Sequence, residues 1–221
     1  IAGLAKVSID GKYGIIAIDG REVTPVKYNT FAEYAQNGLA LVTVENYVGW
    51  VDRIGREIVP VINDEVGEWT EDGMNWVRQG ELYGWIDITG KFITKVEYTK
   101  LWGWHVNGLA KVAKGELMSW ITREGDLISP VVYCEVGEWT DNGLVWVKQE
   151  ALYGMINTEG KKVVPIKYTA LGAFGENGLA MASLGENKWG WLDLNGKEIL
   201  KVNNMAVWAF GEEGLAKFRD A

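Results

Sequence analysis

Hydrophobic and polar residues alternate along this chain in short runs separated by glycine-rich reversals. Leu4 to Ser8 (LAKVS) alternates over five residues, Tyr13 to Ile18 forms a second β-prone run, and Val23 to Val26 a third. Runs this short, with period two and glycine at their ends, predict β-strands. No segment carries the 3.6-residue apolar period of an amphipathic helix. The reversal between the second and third runs is clearest in Asp52-Arg53-Ile54-Gly55, Asp87-Ile88-Thr89-Gly90 and Asp193-Leu194-Asn195-Gly196. Asp at the first position can accept from the backbone two residues on, and Gly at the last can take positive φ. Together they predict a type I turn closed by a glycine bulge. Pro25, Pro60, Pro130 and Pro165 fall in the third run, where a missing amide donor predicts an edge strand or the end of pairing.

The same three-run unit recurs. Gly3-Leu4-Ala5 is repeated at Gly38, Gly108, Gly178 and Gly214, with Gly73-Met74-Asn75 and Gly143-Leu144-Val145 between, at intervals of 35, 35, 35, 35, 35 and 36 residues. The units run 3–37, 38–72, 73–107, 108–142, 143–177 and 178–213, with a partial seventh at 214–221. Each unit then carries a Trp-Gly-type pair around Gly14, Gly49, Gly84, Ser119, Gly154 or Gly190, and a turn glycine at Gly20, Gly55, Gly90, Gly125, Gly160 or Gly196. An aromatic stands four residues before the next anchor: Tyr34, Trp69, Trp104, Trp139, Phe174 or Phe210. Residues 65–86 and 135–156 match at 14 of 22 positions, a shift of two units, so the chain grew by duplicating pairs.

The stretches KWGWLDLNGKEI (188–199), YGWIDITGK (83–91) and GKKVVPIKY (160–168) carry a pattern that resembles the WG-repeat (KWG-type) family of mostly bacterial proteins, over essentially the whole chain. The resemblance implies tandem all-β repeats and no activity common to the family. Ser119 departs from its motif glycine, and Ile15 and Met155 from its second aromatic. The expected fold is all-β: tandem three-stranded antiparallel units in a single array, stacked as an open β-solenoid or superhelix, with a closed six-bladed β-propeller as the alternative. Glycine inside a strand costs stability unless something needs the space. A large ring from the next unit lying over the motif glycine is the simplest such need. Trp50, Trp85, Trp120 and Trp191 then read as inter-repeat packing.

Composition narrows the function. The chain has 221 residues with 12 Trp, 28 Gly and only 4 Pro, and a formal charge of −8. Nucleic-acid binding needs a basic stripe, so that class is set aside, as is an anionic membrane surface. No apolar run approaches the ~18 residues of a membrane-spanning helix. The single cysteine, Cys134, allows no intramolecular disulfide. The chain opens within a repeat, which suggests a processed form or a piece of a longer protein. The compartment stays open, a bacterial cell surface or secretion among the options.

Little reads as catalysis. His105 is the one histidine, which excludes histidine-rich metal sites, and a loop residue is its simplest reading. Pairing with Cys134 has no activating context. The carboxylates Glu65, Glu68, Glu71 and Asp72 recur as Glu135, Glu138 and Asp141, as a solvated face would. There is no Walker loop, dinucleotide fingerprint or nucleophile elbow. The expectation is a non-enzyme without cofactor or metal.

Positions that break the repeat's own rule are the places to look for binding. Three residues after each anchor stand Lys6, Leu41, Trp76, Lys111, Trp146, Met181 and Lys217. Lysine at three of them predicts a solvent-facing position, so the apolar exceptions form an exposed stripe, a mark of interaction surfaces. Six residues before the anchor, Ala32, Gly67, Gly137 and Gly172 give way to Trp102 and Trp208. Trp76, Trp146, Trp102 and Trp208 are therefore the candidate binding residues. The function expected is a non-catalytic scaffold that binds a protein partner or self-associates. A glycan- or cell-wall-binding module using exposed Trp is the alternative.

Overall fold

A computed structural model describes residues 3–209 and 215–220; Phe210 and the anchor Gly214 lie outside the described residues. Every regular element among the described residues is a strand. They group into two compact units, 1–101 and 102–221.

The first unit holds three antiparallel sheets. β1 (Leu4–Ile9), β2 (Lys12–Ala17) and β3 (Glu22–Tyr28) form one; β4 (Thr30–Phe31), β5 (Leu39–Val44), β6 (Tyr47–Asp52) and β7 (Glu57–Asn63) a second; β8 (Glu65–Val66), β9 (Met74–Gln79) and β10 (Leu82–Asp87) a third. The second unit begins within β11 (Lys100–Trp104), which joins β12 (Ala110–Lys114) and β13 (Leu117–Ile121). Next comes a sheet of β14 (Glu135–Val136), β15 (Leu144–Gln149), β16 (Leu152–Asn157) and β17 (Lys162–Tyr168), then one of β18 (Ala170–Leu171), β19 (Leu179–Ser183), β20 (Trp189–Asp193) and β21 (Glu198–Asn204). β22 (Ala206–Val207) and β23 (Phe218–Arg219) pair at the end.

The first two strands read in each of the six full repeats are thus present, with the central hairpin pairing as in Val42↔Gly49 and Leu41↔Trp50, and the third strand is formed in the first, second, fifth and sixth repeats. A further strand from the tail of one repeat joins the hairpin of the next, as Thr30↔Thr43 and Phe31↔Val42 show; it is two residues long except in β11, which has five. Two residues are too few to leave an alternation in the sequence. In the third and fourth sheets the last strand is reduced to isolated bridges, Tyr83↔Tyr98, Ile86↔Phe92, Met118↔Tyr133 and Ile121↔Leu127.

The hairpin turns are those the Asp and Gly positions predict. Asp52 Oδ1 accepts from the amides of Ile54 (3.0 Å) and Arg56 (2.8 Å), Gly55 N–H donates to the Asp52 carbonyl at 3.1 Å, and Gly55 has φ 89°. Burial raises the Asp52 pKa, but hydrogen bonds from the Arg56 side chain and from the turn amides outweigh it. The carboxyl is held below its ordinary value.

The Trp-Gly glycine serves a different neighbour from the one expected. The pairing between the second and third strands slips, from Val48↔Asn63 to Trp50↔Val59, so the third strand bulges at its proline and folds back over the glycine of its own hairpin. A Cβ at Gly14 or Gly84 would lie 2.9 Å from the carbonyl oxygens of Pro25 and Lys95 respectively, and at Gly49 it would overlap that of Val59. Backbone, rather than a ring from the next unit, occupies the space. In the fourth repeat Ser119 takes the glycine's place and its hydroxyl donates to the Ser129 carbonyl at 2.8 Å, in contact with Ser129 Oγ at 2.9 Å.

Glycine also governs the approach of successive sheets, at the turn. A Cβ at Gly55 would overlap the Val23 carbonyl oxygen of the preceding sheet, at Gly160 that of Ile128 and at Gly196 that of Val163; at Gly90 it would stand 2.6 Å from that of Ile58. Between these seams lie the cores. Ile15 and Tyr28 of the first sheet pack with Phe31, Ala40, Val42 and Val51 of the second; Met155, Val164 and Tyr168 pack with Ala182, Leu192 and Val202. As expected, the motif tryptophans belong to this packing. Trp85, Trp120 and Trp191 are buried and Trp50 half-buried. Trp50 meets Trp69 edge-on at 6.1 Å, and Trp120 meets Trp139 at 5.2 Å, each partner lying just beyond the first strand of the following sheet.

Candidate binding cleft

The two rule-breaking positions are cross-strand neighbours. The residue six before the anchor donates its amide to the carbonyl of the residue three after it: Ala32 to Leu41 (2.9 Å), Gly67 to Trp76 (2.9 Å), Gly137 to Trp146 (3.0 Å), Gly172 to Met181 (2.8 Å) and Trp208 to Lys217 (3.0 Å). The next strand continues the row, with Trp76 opposite Trp85, Lys111 opposite Trp120 and Trp146 opposite Met155. Side chains in such a row share one face of the sheet.

Along this row size is traded. Trp76 lies against Gly67 and Trp146 against Gly137 so closely that a Cβ on either glycine would overlap the indole. Tyr83 and Tyr153 flank the two rings at 5.7 and 5.9 Å. Both tryptophans are half-buried, as are Leu41, Lys111 and Met181, whereas Lys6 and Lys217 are exposed. Solvent reaches the row at every repeat, but the stripe is less open than its lysines predicted. Where the tryptophan instead stands six before the anchor, a lysine answers it. Lys111 Nζ sits 4.6 Å from the centre of the Trp102 ring, a cation–π contact. Trp208, opposite Lys217, is 49% exposed.

Beside the Trp102–Lys111 pair opens a cleft of about 310 Å³. Trp102 and Trp104 of β11 form one side, buried Trp120 of β13 the floor, and Glu138 and Trp139, which follow β14, the other side; His105 stands on the rim. The Arg123 guanidinium lies over Trp104 at 5.0 Å. His105 Nδ1 accepts from the Asn107 amide at 3.2 Å, which places a neutral ring's proton on Nε2. Three repeats earlier the corresponding residues Leu4, Lys6, Ile15, Ala32, Glu33 and Tyr34 enclose only about 100 Å³. There Lys6 Nζ reaches Glu33 at 3.7 Å and the Phe31 carbonyl at 3.2 Å, closing the gap. Lys111, drawn over Trp102, forms no ion pair with Glu138 or any other described residue.

The turn that carries His105 gives no structural reason for it. His105 N–H donates to the Leu109 carbonyl and accepts Gly108 N–H on its own carbonyl, a pattern that Ala35, Thr70, Thr140 and Gly175 reproduce. The following residue is Gln36, Glu71, Asp141 or Glu176 elsewhere, yet here it is Val106, 98% exposed. Of the four candidate tryptophans, Trp102 lines this cleft, while Trp76, Trp146 and Trp208 do not. Sequence reasoning passed over Lys111 and Glu138, and set His105 aside. Their signal was the coincidence of departures within one repeat junction, at Trp102, His105 and Val106.

The sheets and seams define an all-β tandem-repeat protein. Residues 49–83, 83–117 and 153–188 match the family model of the WG containing repeat, the family that the sequence resembles. No curated protein matches it. Among solved structures it is similar to Hsv2p of Kluyveromyces lactis, at 11% identity over 86% of this chain and 71% of that one, with a TM-score of 0.32. It is similar to a eukaryotic initiation factor at 11% identity, over 99% and 65% of the two chains, with a TM-score of 0.38. PorZ, a bacterial surface component of the type-IX secretion system of Porphyromonas gingivalis, aligns at 12% identity over 87% of this chain and 29% of its own, with a TM-score of 0.32.

Proposed function

We propose that this chain is a non-catalytic binding protein, a scaffold of structural repeats in which one junction is adapted to hold a partner. The observation that carries the reading is that Trp102 and His105 line one cleft, with the exposed Val106 next to His105 in sequence. His105 and Val106 replace residues that serve the turn equally well in sibling repeats, and Trp102 stands where most siblings carry alanine or glycine. Residues kept against the repeat's own pattern, at positions where the backbone does not need them, fit recognition better than packing. A protein segment or a second copy of the chain is one class of partner. A glycan is the second, favoured by the concentration of tryptophan around polar groups.

The test is to restore the repeat pattern with Trp102→Ala, His105→Thr and Val106→Asp together. Binding surfaces are commonly held at some expense of stability, so thermal unfolding of the triple variant should match or exceed that of the parent. A loss as large as that of Trp120→Ala, about 3–5 kcal/mol for truncating a buried large aromatic, would make these residues structural and end the reading.

A further inference from the structure

We infer that the cleft holds one neutral pyranose ring, a hexose residue free or within an oligosaccharide, stacked on tryptophan and bridged between Lys111 and Glu138. This rests on the binding reading above and names its ligand class. A volume of about 310 Å³ is at the small end for a ligand site and suits a single ring. Four indoles supply apolar faces and edges. Lys111 and Glu138 supply a donor and an acceptor that do not satisfy each other, unlike Lys6 and Glu33.

Other ligand classes fit less well. A cation would compete with Lys111 for Trp102 and with Arg123 for Trp104, since both rings already carry a positive group. An anion would meet Glu138 within a chain of net charge −8. A wholly apolar ligand would strip water from Lys111 and Glu138 and return nothing. A polyhydroxyl ring answers all three. Its C–H face lies on an indole, one hydroxyl oxygen accepts from the Lys111 ammonium, and another hydroxyl donates to the Glu138 carboxylate.

The experiment titrates the 221-residue chain with hexose monosaccharides and with gluco-, manno-, galacto- and N-acetylglucosamine oligomers, read by calorimetry and by the indole N–H resonances. At least one should bind and move the Trp102, Trp104 and Trp139 signals. Trp102→Ala should weaken it by about tenfold or more, and Lys111→Met and Glu138→Gln by about threefold or more each, as for central contacts of a small site. Trp208→Ala, the same position outside the cleft, should bind as the parent does. Monosaccharide binding equal to that of the oligomers assigns the site to a free ring or chain end; binding of oligomers alone assigns it to a residue within a chain. No response to any sugar, or binding that survives Trp102→Ala, overturns the assignment. A parallel arm with a random peptide library separates the two levels. Peptide binding without sugar binding overturns the saccharide and keeps the cleft as a site, whereas instability of the pattern-restoring triple variant removes both.

Discussion

Gly20 and Gly55 occupy the same turn position in consecutive repeats, with φ of 83° and 89°, and differ in what lies beside them. A Cβ at Gly20 meets nothing within 4 Å, whereas one at Gly55 would overlap the Val23 carbonyl oxygen of the preceding sheet. Alanine at either site pays for the left-handed backbone, about 1–2 kcal/mol. Part of that is returned by stiffening the unfolded chain, about 0.4–1 kcal/mol, so Gly20→Ala should cost about 1 kcal/mol. Gly55→Ala must in addition push two sheets apart toward the ~3.5 Å that heavy atoms need, and overpacking of that kind costs about 1–3 kcal/mol. The expected total is about 2–4 kcal/mol. With a urea m-value of about 2 kcal/mol/M, the midpoint should fall by about 0.5 M for Gly20→Ala and about 1–2 M for Gly55→Ala. Native-state hydrogen exchange should place the larger loss in β3 and β6, on the two sides of the seam. Equal costs for the two variants would refute the claim that this glycine sets the inter-sheet approach.

Three further outcomes follow from the same geometry. Trp76→Lys should cost about 1–2 kcal/mol and Gly67→Trp more, but the double variant, which recreates the Trp102–Lys111 arrangement, should recover most of the loss; additive costs in a double-mutant cycle would show that the two positions do not trade volume. Ser119→Ala should cost about 1–3 kcal/mol in urea unfolding, because it removes the hydroxyl that donates to the Ser129 carbonyl; an unchanged midpoint would refute that role. The lowered pKa values of Asp52, Asp87 and Glu57 stabilise the fold above the ordinary carboxylate range, and this contribution should vanish as pH falls through the lower folded values. Asp52→Asn keeps the turn acceptor, as Asn157 does naturally at the same position, and should flatten the fall of melting temperature with acid; a slope identical to the parent's would assign the acid sensitivity elsewhere.

What the sequence made legible is what each repeat must do alone. The strands show as alternation, the turns as Asp and Gly at fixed spacing, and the edge strands as proline, because each is a local backbone requirement. What acts between segments leaves weaker marks. The two-residue strands such as β4 and β8 are too short to alternate. The reason for the motif glycine lay in a bulge of the third strand, visible only once Val48↔Asn63 and Trp50↔Val59 fix the slip. The lysines at 6, 111 and 217 marked their position as solvent-facing, yet Trp76 is half-buried there, because what that position sees depends on whether its neighbour across the strand is Gly67 or a second tryptophan. Of the cleft, Trp102 was legible, since it breaks a rule of its own column. Lys111 and Glu138 were not, because each is ordinary in its column and only their failure to meet sets them apart.

That failure has a single physical source in the row shared by the two columns. One indole fills the space whether it is rooted six residues before the anchor or three after it, so the sheet accepts either arrangement. The choice nonetheless decides what the lysine column does. In the first repeat the Lys6 ammonium reaches Glu33 at 3.7 Å and the Phe31 carbonyl at 3.2 Å. With the indole at Trp102, the ammonium of Lys111 lies over the ring instead and its carboxylate partner is left across an open gap. An exposed ion pair is worth little, about 0–1 kcal/mol, and a cation–π contact at such a site about 0.5–1 kcal/mol, so exchanging one for the other is nearly neutral for folding. A substitution that leaves stability where it was and opens a polar, tryptophan-lined cleft lets a repeat array acquire a site at one junction while every other junction keeps its structural form.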